Sequence, residues 1–202
     1  VRELAVAVPS SASLRYLTNV RTPGLAGARN TGILATSGEF LAFCDDDDEW
    51  LPGKLAAQKA LLSRRPDAVL ASTGITVRTE SADHLRLGPV SAGMGTYLRR
   101  RVPEVHPSTF FMRRADLVGR IGLIDEELPA SYGEDYDLLL RASRLGPTVG
   151  VQEPLVNVYW NRPSFFAGRW DAIAEGLTYI LAKTPEFEDD RRGLARVEGQ
   201  IA

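Results

Sequence analysis

The chain has 202 residues, 44% of them hydrophobic and 25% charged, with a net charge of −2. That length and balance suit one domain with a real core and argue against disorder. The near-neutral charge lacks the basic field of a nucleic-acid binder. The single cysteine, Cys44, excludes an internal disulfide and fits a reducing compartment. No apolar run approaches the roughly 20 residues of a membrane span, and VRELAVAV at the start is too short for a signal peptide. The expectation is a soluble, cytoplasmic chain.

LAVAV (4–8), closed by Pro9 and serines, reads as a buried strand, and LRYLTN (14–19) as a short edge strand. GLAGARNTGILATSG, from Gly24 to Gly38, spaces Leu25, Ala28, Ile33 and Ala35 as a helix with a small-residue face. EFLAFC (39–44) is then a buried strand, with four aspartates at its C-terminal end. GKLAAQKALLSRR makes an amphipathic helix closed by Pro66, and AVLASTGITVR (68–78) a further strand. This alternation predicts a mostly parallel α/β sheet with right-handed crossovers. Ligands bind beyond the carboxyl ends of such strands, where the aspartates lie.

Residues 79–105 carry glycine or proline at 88, 89, 93 and 95 and an Arg99–Arg101 run, and read as a loop with one helix. STFFMRR (108–114) looks like a strand entering a basic turn. GEDYDLLLRASRLG (133–146) is a helix with acidic residues in its first turn and arginines in its last, complementing the helix dipole. TVGVQEPLVNVYW (148–160) is a strand, or a pair broken at Pro154, and the rest is helical. The expected division is a main domain at 1–163 and a helical extension at 164–202.

Two acidic constellations bear chemistry. Asp45, Asp46, Asp47 and Asp48 can direct one or two carboxylates at a divalent cation, Mg²⁺ or Mn²⁺, holding a diphosphate. The plainer alternative is a solvated turn with Asp48 capping the next helix. Glu134, Asp135 and Asp137 open the second helix. Dipole stabilisation accounts for such residues on its own, but a carboxylate there could also accept a proton from an incoming hydroxyl. Cys44 reads as a small inward-facing core residue, and Trp50 as packing under the turn and over the helix start. His106 reads as structural, with a place beside the acceptor or a phosphate as the alternative. Arg99–Arg101 read as a solvated face, or as a guide for an anion, and Trp160 with Arg162 as a closure over the diphosphate.

GLAGARNTGILATSGEFLAFCDDDDEWLPGKLAAQ, followed by HPSTFFMRRADLVGRIGLIDEELPASYGEDYDLLLRASRLG, resembles glycosyltransferase family 2 from about Leu14 to Tyr159. The GxxxARNxGI helix, a D-x-D strand end followed by W-x-P, and an ED-x-D-L helix come in the family's order. The resemblance implies a GT-A fold and inverting, metal-dependent transfer from a nucleotide-diphosphate sugar to a hydroxyl acceptor. It places Asp45 and Asp46 at the nucleotide, Asp47 with Asp45 at the metal, and Asp135, paired with Glu134, as general base. Arg29 and Asn30 either reach the nucleotide or hold the D-x-D loop. The family's usual first strand and its base-reading aspartate are absent from VRELAVAVPSSAS, so the first strand is expected to be missing from the chain as given. A nucleotidyltransferase, or a non-catalytic domain binding nucleotide-sugar or glycan, are the rival readings.

Overall fold

A computed structural model describes residues 13–160 and 166–202; the expected strand at 4–8 and Arg162 lie outside them. In chain order come α1 (Leu25–Ala35), β1 (Phe40–Ala42), β2 (Asp48–Trp50), α2 (Lys54–Arg64), β3 (Leu70–Arg78), β4 (Asp83–Arg86) and β5 (Ser91–Ala92). Then follow α3 (Met94–Arg99), β6 (Phe111–Arg113), α4 (Arg114–Asp116) with a π turn over Leu117–Ile121, α5 (Glu134–Ser143), β7 (Thr148–Tyr159), α6 (Trp170–Lys183) and α7 (Arg191–Ile201).

The strands form one sheet in the order β1-β6-β3-β7-β2, with β4 added to β3 and β5 to β7. The fold is α/β. Among the described ladders, β3–β7 is the parallel one and the others are antiparallel. Because β6 runs antiparallel to both β1 and β3, those two point the same way with β6 between them. The carboxyl end of β1 therefore meets the amino end of β6, and the acidic turn faces the Pro107–Thr109 turn that precedes β6.

Pro154 does not split β7. The β3–β7 register shifts at Thr73/Gly74 and again at Gly74/Ile75, and this bulge seats the proline opposite Gly74. A Cβ on Gly74 would meet the Leu87 side chain at 2.6 Å and Glu153 O at 3.0 Å, so the bulge needs a bare backbone. LRYLTN forms no strand. Its Asn19 accepts Arg21 N–H at 3.0 Å and donates to Thr22 O at 3.0 Å, folding the chain into a local turn instead, with Leu14 and Tyr16 exposed. The 79–105 segment holds two short strands as well as a helix.

The main core joins Ala26 and Ile33 of α1, Leu70 of β3, Tyr97 of α3 and Leu138 of α5. Leu177 and Ile180 of α6 and Val197 of α7 belong to it too. The C-terminal helices thus bury their apolar faces against the same layer as α5. A second cluster, Leu62, Ala68, Ala71, Phe111 and Val149, lies under α2. A third, beyond the bulge, holds Ile75, Val77, Val156 and Val158 with Trp50 packed on it.

Candidate active site

A cavity of about 680 Å³ opens between the acidic turn, the start of α5 and the C-terminal helices. Its lining includes Arg29, Asp45, Arg101, His106, Glu134 and Asp135, with aromatic walls from Tyr97, Tyr132 and Trp160. Both acidic motifs reach this cavity by their first residues, through Asp45 and not Asp47 on one side and through Glu134 and Asp135 on the other.

Why it is Asp45 follows from the turn. Asp48 N–H donates to Asp45 O at 3.2 Å, closing a β-turn whose two tip residues, Asp46 and Asp47, project into solvent. Asp48 resumes as the first residue of β2, so it does not cap α2, whose N-cap is Gly53. Ser108, fully buried, ties both ends of the turn. Its Oγ accepts Asp45 N–H at 3.0 Å and donates to Asp48 Oδ2 at 2.5 Å.

His106 Nδ1 accepts Ser108 N–H at 3.4 Å and lies 3.3 Å from Asp48 Oδ2. One ligand atom each from Asp45, Asp48 and His106 fall within 4.8 Å of one another. Burial first, then the like charges of Asp45 and Asp47, push the Asp48 carboxyl up, while the Ser108 hydrogen bond and His106 draw it down. Charge repulsion of this kind is what a cation relieves. Asp45 of the expected metal pair belongs to this group, whereas Asp47 points outward at the turn tip.

Arg29 projects from α1 between the two acidic motifs. Its Nη2 donates to Asp45 Oδ1 at 2.7 Å and its Nη1 to Glu134 Oε1. Burial lowers the guanidinium's affinity for its proton, but Glu134 and Asp45 outweigh that and hold its pKa above the ordinary arginine value. Asn30, one residue on, is buried and turned away. It donates to Ile124 O at 2.8 Å and Glu126 Oε1 at 2.6 Å and accepts Ile124 N–H at 2.9 Å, so it braces a loop and does not line the cavity.

At α5 the three acidic residues have three fates. Asp137 is buried and held by Arg141 at 2.8 Å and Lys183 at 3.0 Å. Glu134 is buried against Arg29; its carboxyl is pushed up to about 7, by burial first and Asp135 second, with Arg29 opposing. Asp135 lines the cavity, and among the described residues no hydrogen bond or ion pair engages it. The helix starts after Gly133, whose φ of 77° permits the abrupt turn that presents Asp135.

Several residues took unexpected places. Arg99 pairs with Asp190 at 2.7 Å, whereas Arg101 lines the cavity and donates to Tyr132 OH at 3.2 Å. Cys44 is exposed and does not face inward; its thiol points along the turn towards Asp48 O at 3.7 Å. Trp50 does lie beside the start of α2, with Lys54 Nζ 4.1 Å from its ring centroid. No helix among the described residues is long and apolar enough to cross a membrane.

A family model described as glycosyl transferase family 2 matches residues 2–121. AmsB of Erwinia amylovora, an amylovoran biosynthesis glycosyltransferase, is 30% identical over 171 residues, covering 80% of this chain and 56% of AmsB. WfgD of Escherichia coli, named a UDP-Glc:alpha-D-GlcNAc-diphosphoundecaprenol beta-1,3-glucosyltransferase, is 43% identical over 53 residues, 26% of this chain and 21% of WfgD. The chain thus spans little more than half of one curated relative and a fifth of the other. The S. aureus TarS 1-349 structure in complex with UDP-GlcNAc shares the fold with a TM-score of 0.57 at 13% identity, over 78% of this chain and 47% of that 1-349 chain. A TarS 1-349 complex with UDP gives 0.54 at 15% identity, over 77% and 44%.

Proposed function

The chain belongs to glycosyl transferase family 2, and from that premise we propose that it moves a sugar from a UDP-type nucleotide-diphosphate donor to a hydroxyl acceptor with inversion. The observation that carries this reading is one cavity lined by both Asp45 and Asp135, the latter held by no hydrogen bond or ion pair among the described residues. The nucleotide part follows the UDP and UDP-GlcNAc complexes of TarS and the donor in the name of WfgD.

Asp135 accepts the proton of the acceptor hydroxyl as that oxygen attacks the anomeric carbon, on the face opposite the leaving diphosphate. Single displacement from that face inverts the configuration. Glu134, locked by Arg29, fixes the first turn of α5 and with it the direction in which Asp135 points. Arg29 also holds Asp45, so one guanidinium sets the spacing between the donor side and the base.

Asp45, Asp48 and His106 would hold a divalent cation, and the mixed oxygen and imidazole set favours Mn²⁺ over Mg²⁺. Such an ion supplies Lewis-acid stabilisation of the departing diphosphate. Asp46 and Asp47, at the turn tip, face solvent and do not line the cavity. A cavity-facing carboxylate beside a diphosphate site favours transfer over mere binding, since binding has no need of a base.

The test is turnover. Purified protein with UDP-sugars and Mn²⁺ should release UDP, faster with acceptor present, and Asp135→Asn should abolish release while still binding UDP. Equal turnover by wild type and Asp135→Asn would sink the assignment.

A further inference from the structure

Helix α2 buries two polar side chains one turn apart, Lys54 at 1% and Gln58 at 0% exposure. Gln58 Nε2 donates to Ala71 O at 2.8 Å and Thr109 O at 2.6 Å, tying α2 to the turn before β6. Lys54 has no such partner: its Nζ is buried without a hydrogen bond. Leaving an ammonium dry and unpaired is costly, and burial drags its pKa down to about 8, with Cys44 slightly opposing. A methionine of similar length would fill the same space without that cost, so packing alone does not account for a charge here.

The contact that Lys54 does make is the face of Trp50, 4.1 Å from Nζ to the ring centroid. The other edge of that indole is fixed, since Trp50 Nε1 donates to Ser108 O at 2.8 Å. Ser108 Oγ in turn holds Asp45 N–H and Asp48 Oδ2. Three successive contacts therefore run from the ammonium to both carboxylate residues on the donor side of the cavity.

We infer that Lys54 is a positioning residue for the acidic turn: its ammonium pins the Trp50 indole, which sets Ser108 and so the spacing of Asp45 and Asp48. The ligand that benefits is a cation-bound nucleoside diphosphate, and to that extent the inference rests on the donor-site reading; the turn geometry itself does not.

Lys54→Met separates the charge from the volume. Without any ligand, amide hydrogen exchange over residues 44–48 should quicken about 10-fold, the loss of one desolvated cation–π contact. Calorimetry should show Mn²⁺ and UDP binding weakened by about the same factor. The melting temperature should stay level or rise, because a buried charge has been removed. Lys54→Arg, which keeps a cation over the ring, should recover part of the protection at 44–48. Unchanged exchange at 44–48 in Lys54→Met overturns the inference, whatever the ligands do. Faster exchange spread through β3 and α5 with a lower melting temperature also overturns it, by making Lys54 a general packing residue. If wild type binds neither Mn²⁺ nor UDP, the donor reading fails by itself, and the exchange result still decides the role of Lys54.

Discussion

The acidic turn at 45–48 and the acidic helix start at 134–137 are alike in composition and opposite in how they manage charge. In the turn, two carboxylates point to solvent, Asp48 is drawn inward by a serine and a histidine from about sixty residues away, and Asp45 is held by Arg29. At the helix start, two carboxylates are buried against arginine and lysine, and one is left to the cavity. Water does for Asp46 and Asp47 what Arg29, Arg141 and Lys183 do for Glu134 and Asp137. A run of like charges is therefore not one functional unit. The residue worth watching in each run is the one that lines the cavity, Asp45 in the turn and Asp135 at the helix start.

The largest expected contrast lies within α5. Asp135→Asn should lower kcat by roughly 10²- to 10⁴-fold, the usual worth of a general base, with the melting temperature unchanged. Asp137→Asn, two residues on, should instead cost about 3–5 kcal/mol in urea denaturation, because Arg141 and Lys183 are left facing a neutral partner. If the two variants behaved alike, the division of labour would be wrong.

In the turn, Asp48→Asn and His106→Ala should each weaken Mn²⁺ binding by about 10- to 100-fold in a spin-resonance titration. Asp47→Asn should weaken it by less than about threefold, as for a solvated charge near the site. A reversed ranking would return the metal to Asp47, as the family pattern implies.

Glu134 sharpens the comparison through pH. Its folded carboxyl titrates at about 7 against 4.5 for an ordinary glutamate, so the folded protein retains a proton that the unfolded chain has released. Stability from this group is full below pH 4.5 and declines as pH rises through 7, by about 3 kcal/mol in all. Denaturation midpoints across that range should slope downward in wild type and flatten in Glu134→Gln. The smallest effect belongs to Asp46→Asn, which should move stability by no more than about 0.5 kcal/mol.

Much of the scaffold was legible because its signals are local. α1, α2, β3 and α5 follow from apolar spacing and from glycine or proline at their ends. β2 was not legible: Asp48–Trp50 has no strand-like pattern and is extended only because β7 pairs with it. LRYLTN had the pattern but found no partner among the described strands. In the site, the run Asp45–Asp48 stands out by its position after a strand and Asp135 by its place at a helix start, but the run itself points to Asp47 as readily as to Asp45. Nothing local could say that Asp48 turns inward and Asp47 outward, since the choice is made by Ser108 and His106. The same holds for Arg101, one of three consecutive arginines, sorted from Arg99 by where α3 ends and Asp190 sits. The motif leaves Asn30 either at the nucleotide or holding the D-x-D loop, and in the structure it is the loop at Ile124 that engages its amide.

The double register shift at Gly74 leaves the outer part of the sheet on a small island of four aliphatic side chains with Trp50. β2, which begins with Asp48, belongs to that island, whereas α5 and Asp135 are embedded in the main body of the protein. The two halves of the machinery are consequently mounted on ground of unequal ruggedness. On warming, grip on the nucleotide should slacken before the base loses its footing, and a UDP affinity that drops well below the global melting point would be the signature.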